Sequence, residues 1–339
     1  MTQPTRGERE PAAIAITPIL SARYREEDLA RIRAAAPGAR LVSVSLEGLS
    51  DSPLDDVEVL LRGPMRTANF DRLLARCPNL AWVHSATAGV ERVLTPDAAA
   101  RGVTITNARG VFSEPIAEYT VMMILTVLRR LPELIELQSE RTWQPLPARE
   151  MRQVTIAVVG LGSIGRNVAL LALSFGARVI GTRKERDLRK DFTEPMAEGM
   201  DHILVHDQLP ELLAESDFVV LAVPLTPDTD KLMNGPRLAQ MKPGSWLINV
   251  ARGRLVDQRA LLRALRNGPL EGAILDTIWE EPLPASSPLW DAPGLIITPH
   301  TSWSSGRVLD RSIELFCDNL ARFRDGREML NLVDPEAGY

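Results

Sequence analysis

A chain of 339 residues with 45% hydrophobic content is too long for one ordinary domain and long enough for two, each burying its own core. A net charge of -5, a pI near 5.6 and no Lys/Arg-rich stripe with interleaved aromatics argue against a nucleic-acid partner. Two distant cysteines, Cys77 and Cys317, make neither a disulfide framework nor a metal site. The polar start MTQPTRGERE and the lack of a membrane-length apolar run point to a cytoplasmic protein.

Short apolar runs alternate with helical patterns: AIAITPIL (13–20), REEDLARIRAA (25–35), ARLVSVS (39–45), VEVLLRG (57–63), a helix near 67–76, LAWVHSAT (80–87) and VTITNA (103–108). Strand and helix in turn predict an α/β fold with a parallel sheet covered on both faces. Ser113-Glu114-Pro115 then opens IAEYTVMMILTVLRRLPELIEL, read as one long apolar helix that connects to a second domain and is a candidate for a subunit interface. The alternation restarts at VTIAVVG (154–160) and continues through ARVIGT (177–182), HILVH (202–206), FVVLAVP (218–224), SWLINV (245–250), GAILDT (272–277) and GLIITP (294–299). A last helix near 306–325 returns to complete the first domain. Two Rossmann-like units follow, with a flavodoxin-like domain from 1–108 and 296–339 and a dinucleotide-binding domain at 109–295. The cleft between them is expected to close on its ligands.

Gly160-Leu161-Gly162-Ser163-Ile164-Gly165 lies between a predicted strand and a predicted helix, the setting in which a G-x-G-x-x-G run cradles a pyrophosphate. Gly160 permits the tight turn, Gly162 lets the phosphates approach the backbone, Gly165 lets helix pack on strand, and the helix N-terminus faces the anion. The next strand is followed by Arg183-Lys184, where NAD-specific folds place a carboxylate for the ribose hydroxyls. Two cations suit the 2′-phosphate of NADP, so NADPH is the expected cofactor, with NAD possible.

Asn249-Val250-Ala251-Arg252-Gly253, Asp276-Thr277-Ile278-Trp279-Glu280-Glu281-Pro282 and Thr298-Pro299-His300 each stand at the C-terminal end of a predicted strand, where open α/β sheets present ligand contacts. Together with GLGSIG and SDFVVLAVPLTPDTDKLMN (216–234), in this order and spacing, they resemble the D-isomer-specific 2-hydroxyacid dehydrogenase family, glyoxylate/hydroxypyruvate reductases included, over nearly the whole chain. The resemblance implies that Arg252 grips the substrate carboxylate, which suits a planar fork of donors. It implies that His300 carries the proton and that Glu281 bonds the other ring nitrogen and raises its pKa. Asp276 would hold the nicotinamide carboxamide, and Val223, Pro224, Thr229, Val250 and Ala251 would line the cofactor. Singly, each polar residue also has an ordinary structural reading.

His84-Ser85-Ala86-Thr87-Ala88-Gly89-Val90 resembles the family's substrate loop, so Thr87, Ala88 and Gly89 are candidates for receiving a carboxylate on backbone N–H groups. Two positions depart from the pattern: Glu91 replaces the usual Asp, and Ala222-Val223-Pro224 lacks a histidine common there. Arg62 and Trp303 are candidate walls of the substrate pocket, while His84, His202 and His206 read as structural or surface residues. The expected activity is NAD(P)H-dependent reduction of a small 2-oxo acid, without a metal, by a homodimer. Alternatives are a dinucleotide-sensing regulatory protein on the same fold, or NAD(P)-dependent oxidation of a small anion such as phosphite.

Overall fold

A computed structural model describes residues 10–19, 24–183, 202–205 and 209–335, the side chains of Arg183 and of 202–205 aside. The chain divides into two compact units, 1–112 with 305–339, and 113–304. In the first unit, β1 (Ala13–Ile16), β2 (Arg40–Ser43), β3 (Val57–Arg62), β4 (Trp82–Ser85) and β5 (Thr104–Asn107) form a wholly parallel sheet in the order β2-β1-β3-β4-β5. Side chains alternate across it. Ala13, Ala15, Leu60 and Val83 join one core with Phe70 and Leu73 of α2 (Thr67–Arg76), whereas Ile14, Ile16, Val59, Leu61 and Trp82 join the other. That second core is closed by Ile313, Phe316 and Leu320 of the C-terminal helix (Val308–Arg324), with Phe316 stacked on Trp82 at 5.4 Å. Burial on both faces is why these strands read as unbroken apolar runs.

The second unit holds a seven-stranded parallel sheet built on β6 (Thr155–Val159), β7 (Arg178–Arg183), β8 (His202–Val205), β9 (Phe218–Leu221), β10 (Ser245–Asn249), β11 (Leu270–Leu275) and β12 (Leu295–Ile297). Its order is β12-β11-β10-β9-β6-β7-β8. The chain runs outward from β6 through β7 to β8, then returns to β9 on the other side of β6. This reversal sets a switch point between β6 and β9, the place where such sheets bind ligands. The two-unit α/β architecture agrees with the sequence reading. Its boundaries fall later than 108/109 and 295/296, because α4 (Ser113–Leu128) packs on α6 (Ser163–Ser174) and because the amides of Thr301 and Ser302 are bonded to Asp276.

One expectation is corrected. The apolar stretch after Ser113 is two helices, α4 and α5 (Leu131–Ser139), broken at Arg130, whose φ is 55°. Pro132 has no N–H to continue the ladder and its ring crowds the preceding turn, so the helix stops and restarts. No helix among the described residues is long and apolar enough to cross a membrane.

His84 lies fully buried on β4, its Nδ1 2.8 Å from the Thr106 hydroxyl and its Nε2 without a partner among the described residues. Burial pushes its pKa down from 6.5 to about 3. The unfolded chain therefore binds a proton that the folded chain refuses, so the stability contribution is complete above pH 6.5 and is lost as the pH falls from there toward about 3. Between pH 7.5 and 5.0, the wild type should lose about 2 kcal/mol more than His84→Gln in urea titrations. Equal losses would place the burden elsewhere.

Candidate active site

The loop after β6 is shaped by what its glycines allow. Gly160 has φ +99°, and a Cβ there would lie 2.6 Å from Val223 Cγ1 and 2.8 Å from the Ala222 carbonyl, so only glycine lets the loops after β6 and β9 meet at the switch point. A Cβ on Gly165 would stand 1.9 Å from the Gly160 carbonyl, which is the close packing of helix on strand that the motif requires. Gly162, by contrast, has no heavy atom of the described residues within 4 Å of where a Cβ would stand. It is also the N-cap of α6 and offers no side-chain acceptor, so the first-turn N–H groups of Ser163, Ile164 and Gly165 remain directed at that space. These residues fit a dinucleotide pyrophosphate. The Gly160 and Leu161 amides bond Thr182 at the end of β7, fixing the turn beside the position of Arg183. The side chain of Arg183 and all of Lys184 lie outside the described residues, as does His206.

Arg252 follows β10 in a turn organised by a residue the sequence reading passes over. Buried Asn249 donates from Nδ2 to the Arg252 carbonyl (2.8 Å) and accepts from the Ala251 amide (3.1 Å), the pattern that a strand-ending Asn before a turn could have signalled. The next residue is sterically constrained. A Cβ on Gly253 would lie 2.1 Å from the Ile278 carbonyl carbon, so the Arg252 turn rests directly on the backbone of the loop that carries Glu281. Val250 and Ala251 are nearly buried in the same turn.

Glu281 is held at both oxygens. Oε1 accepts the Ile278 amide at 3.0 Å, and Oε2 lies 2.8 Å from His300 Nδ1. Partial burial opposes its ionisation, but the His300 and Ile278 bonds, with the charges of His300 and Arg252, outweigh burial and hold the carboxyl below its ordinary value. Arg252, Glu281 and His300 are thus brought together at the C-terminal edge of the sheet. His300 itself has φ +50°, and its carbonyl accepts the indole N–H of Trp303 at 2.7 Å. Trp303 accordingly buttresses the histidine turn.

Three of the assigned residues have their side chains engaged within the fold. Asp276 is assigned above to the nicotinamide carboxamide. Its carboxylate is buried and accepts the Thr298 hydroxyl (2.7 Å), the Thr301 amide (2.8 Å) and the Ser302 amide (3.1 Å), bonds that fold the histidine turn. Thr229, assigned to the cofactor, is buried, and its hydroxyl donates to the Pro224 carbonyl at 2.7 Å and shapes the loop carrying Val223 and Pro224. Arg62, assigned to a pocket wall, is 2% exposed. Its guanidinium is taken by the carbonyls of Gly63, Met65 and Arg92, and burial pushes its pKa down to about 10.

In the first unit, the carbonyls of Thr87, Ala88 and Gly89 accept bonds from Ala108 N–H, Asn107 Nδ2 and Thr87 Oγ1. Among the described residues no acceptor stands at the amides of Ala88 and Gly89. That loop presents N–H groups, as a carboxylate receptor would.

Comparison with known proteins agrees with this geometry. Residues 121–302 match the model of the D-isomer specific 2-hydroxyacid dehydrogenase NAD binding domain. The chain is 35% identical over 265 residues to a glyoxylate reductase of Thermofilum pendens, covering 76% of each chain. It superposes on a D-isomer specific 2-hydroxyacid dehydrogenase of Xanthobacter autotrophicus, solved with NADPH and MES, with TM-score 0.83, 30% identity and coverage of 97% and 100%. It also superposes on an NADPH-dependent glyoxylate/hydroxypyruvate reductase of Sinorhizobium meliloti, solved with NADP and sulfate, with TM-score 0.81, 27% identity and coverage of 98% and 100%. The chain belongs to the D-isomer-specific 2-hydroxyacid dehydrogenase family. Its class of reaction is the NAD(P)-dependent interconversion of 2-oxo and 2-hydroxy acids.

The contact at Gly253 yields a test. Gly253→Ala should push the Arg252 turn off the Ile278 backbone, costing about 1–3 kcal/mol of stability and lowering kcat/KM by roughly tenfold or more. Urea melts and steady-state kinetics check both, and a variant unchanged in either respect would show that the close approach is not needed.

Proposed function

We propose that this chain is a cytoplasmic, homodimeric reductase that converts a small 2-oxo acid to the D-2-hydroxy acid and prefers NADPH to NADH. The carrying observation is the His300–Glu281 pair, 2.8 Å apart, with the Arg252 charge beside it on the strand-end edge that also holds the glycine turn. The dinucleotide would be held by Gly160, Gly162, Ser163, Ile164, Gly165, Val223, Pro224, Val250 and Ala251, and its reduced nicotinamide supplies the hydride that becomes the C2 hydrogen of the product. Arg252 binds the substrate carboxylate through two parallel N–H donors and draws electron density from the adjacent oxo group. The ionised Glu281 accepts from Nδ1–H of His300, which fixes the ring and leaves Nε2 to donate a proton to the developing alkoxide.

Arg183, the last residue of β7, and Lys184 support the NADPH preference, because they stand where NAD-specific folds place the ribose-binding carboxylate. The NADPH and NADP complexes of the Xanthobacter and Sinorhizobium relatives point the same way. For the dimer, the support is an apolar surface on α4, α5 and the segment after them. Met122 is 51% exposed, Ile135 57% and Trp143 100%, and α5 has no buried residue. A second copy of the chain is the occupant we assign to it.

In an absorbance assay with glyoxylate, hydroxypyruvate, pyruvate and phenylpyruvate, His300→Ala should lower kcat by about 10²–10⁴-fold while NADPH affinity holds, and Arg183→Asp should move the preference toward NADH. Tight NADPH binding by the wild type with no turnover across the panel would instead identify a dinucleotide sensor. Sedimentation equilibrium should give the mass of two 37.4 kDa chains and, for Ile135→Glu, of one. A wild-type monomer would refute the assigned occupant.

A further inference from the structure

His300 occupies the left-handed backbone region, which non-glycine residues adopt only where their surroundings hold them. Asp276 does the holding. Its carbonyl accepts the His300 amide at 2.9 Å, while its carboxylate accepts the Thr301 and Ser302 amides on the far side of the histidine. The same carboxylate accepts the Thr298 hydroxyl at 2.7 Å. A hydroxyl has one proton to give, and since that of Thr298 goes to Asp276, the 2.6 Å contact between Tyr119 Oη and Thr298 Oγ1 runs with the phenol as donor. A directed chain therefore leads from Tyr119 on α4 through Thr298 to the Asp276 carboxylate, closing on both flanks of His300. Burial pushes the Tyr119 phenol up to about 12, so it stays a donor throughout the range in which an imidazole titrates.

We infer that Tyr119 and Thr298 are positioning residues for His300, fixing the turn from which the imidazole acts without touching substrate or cofactor. The inference rests on the proton-carrying role given to His300 above. Hydrogen bonds that end on a carboxylate strengthen one another along a chain, and a small tilt of a proton donor is enough to slow transfer. Tyr119 lies 179 residues from Thr298 in sequence, in the interior of an apolar helix where a tyrosine reads as packing.

The test uses the full-length chain carrying Tyr119→Phe, Thr298→Val or Thr298→Ser, with His300→Ala as reference. Tyr119→Phe and Thr298→Val should each lower kcat by about tenfold while KM and NADPH affinity stay within about twofold, and Thr298→Ser, which keeps the hydroxyl, should restore most of the rate. The chain has four histidines, so the His300 ring resonance can be assigned by its loss in His300→Ala. That resonance should move or broaden in Tyr119→Phe and Thr298→Val but not in Thr298→Ser. Wild-type kcat with an unmoved resonance in Tyr119→Phe overturns the inference, as does a loss in Thr298→Ser equal to that in Thr298→Val, or a fall in kcat matched by loss of NADPH affinity and of thermal stability. The two readings separate. Turnover surviving in His300→Ala removes the catalytic role while the resonance still reports whether the chain holds the ring; a silent His300→Ala beside a wild-type Tyr119→Phe removes only the positioning role.

Discussion

A carboxylate buried at the end of β11 is the constraint from which the rest of the site follows. Asp276 is 1% exposed, and removing its charge from water is costly unless hydrogen bonds replace the lost solvation. The replacements all come from the segment after β12: one hydroxyl and two amides, with the Asp276 carbonyl engaging a third amide, that of His300. The need to satisfy one buried charge thus folds the histidine turn. The same strand ends place Arg252 through Asn249, whose carbonyl also accepts the Asp276 amide.

Much of the fold was legible because a parallel sheet covered on both faces leaves a strong trace, continuous apolar runs such as Phe218–Leu221 separated by helical patterns. What misled was the stretch beyond Ser113. Its apolar character persists through the break at Arg130, and a proline is compatible either with a new helix start or with a kink. Pro132 was therefore the informative residue and hydrophobicity was not.

For the site, the grouping of Arg252, Glu281 and His300 was legible because each stands at the end of a strand of one sheet. The side chains of Arg62, Thr229 and Asp276 are also engaged within the fold, which their positions in the sequence do not show. A sequence shows a polar side chain near a strand end, but not which neighbours its polar atoms already meet: carbonyls at Arg62 and Thr229, two amides and a hydroxyl at Asp276. Tyr119 and Asn249 were missed for the converse reason, since each acts through a partner that only the folded chain supplies.

The exposure of the His300–Glu281 pair tells where the rigidity of the site comes from. His300 and Glu281 have side chains 42% and 40% exposed, and an ion pair so open to solvent contributes little to folding. It cannot be what holds the two loops together. The holding is done by backbone amides, those of Thr301 and Ser302 on the buried Asp276 carboxylate and that of His300 on the Asp276 carbonyl, while the approach at Gly253, which admits no side chain, seats the Arg252 turn on the loop of Glu281. This division of labour suits the proton-carrying role proposed for His300. Because the loops do not depend on the charge of the pair, a change in that charge does not loosen the frame that aims it.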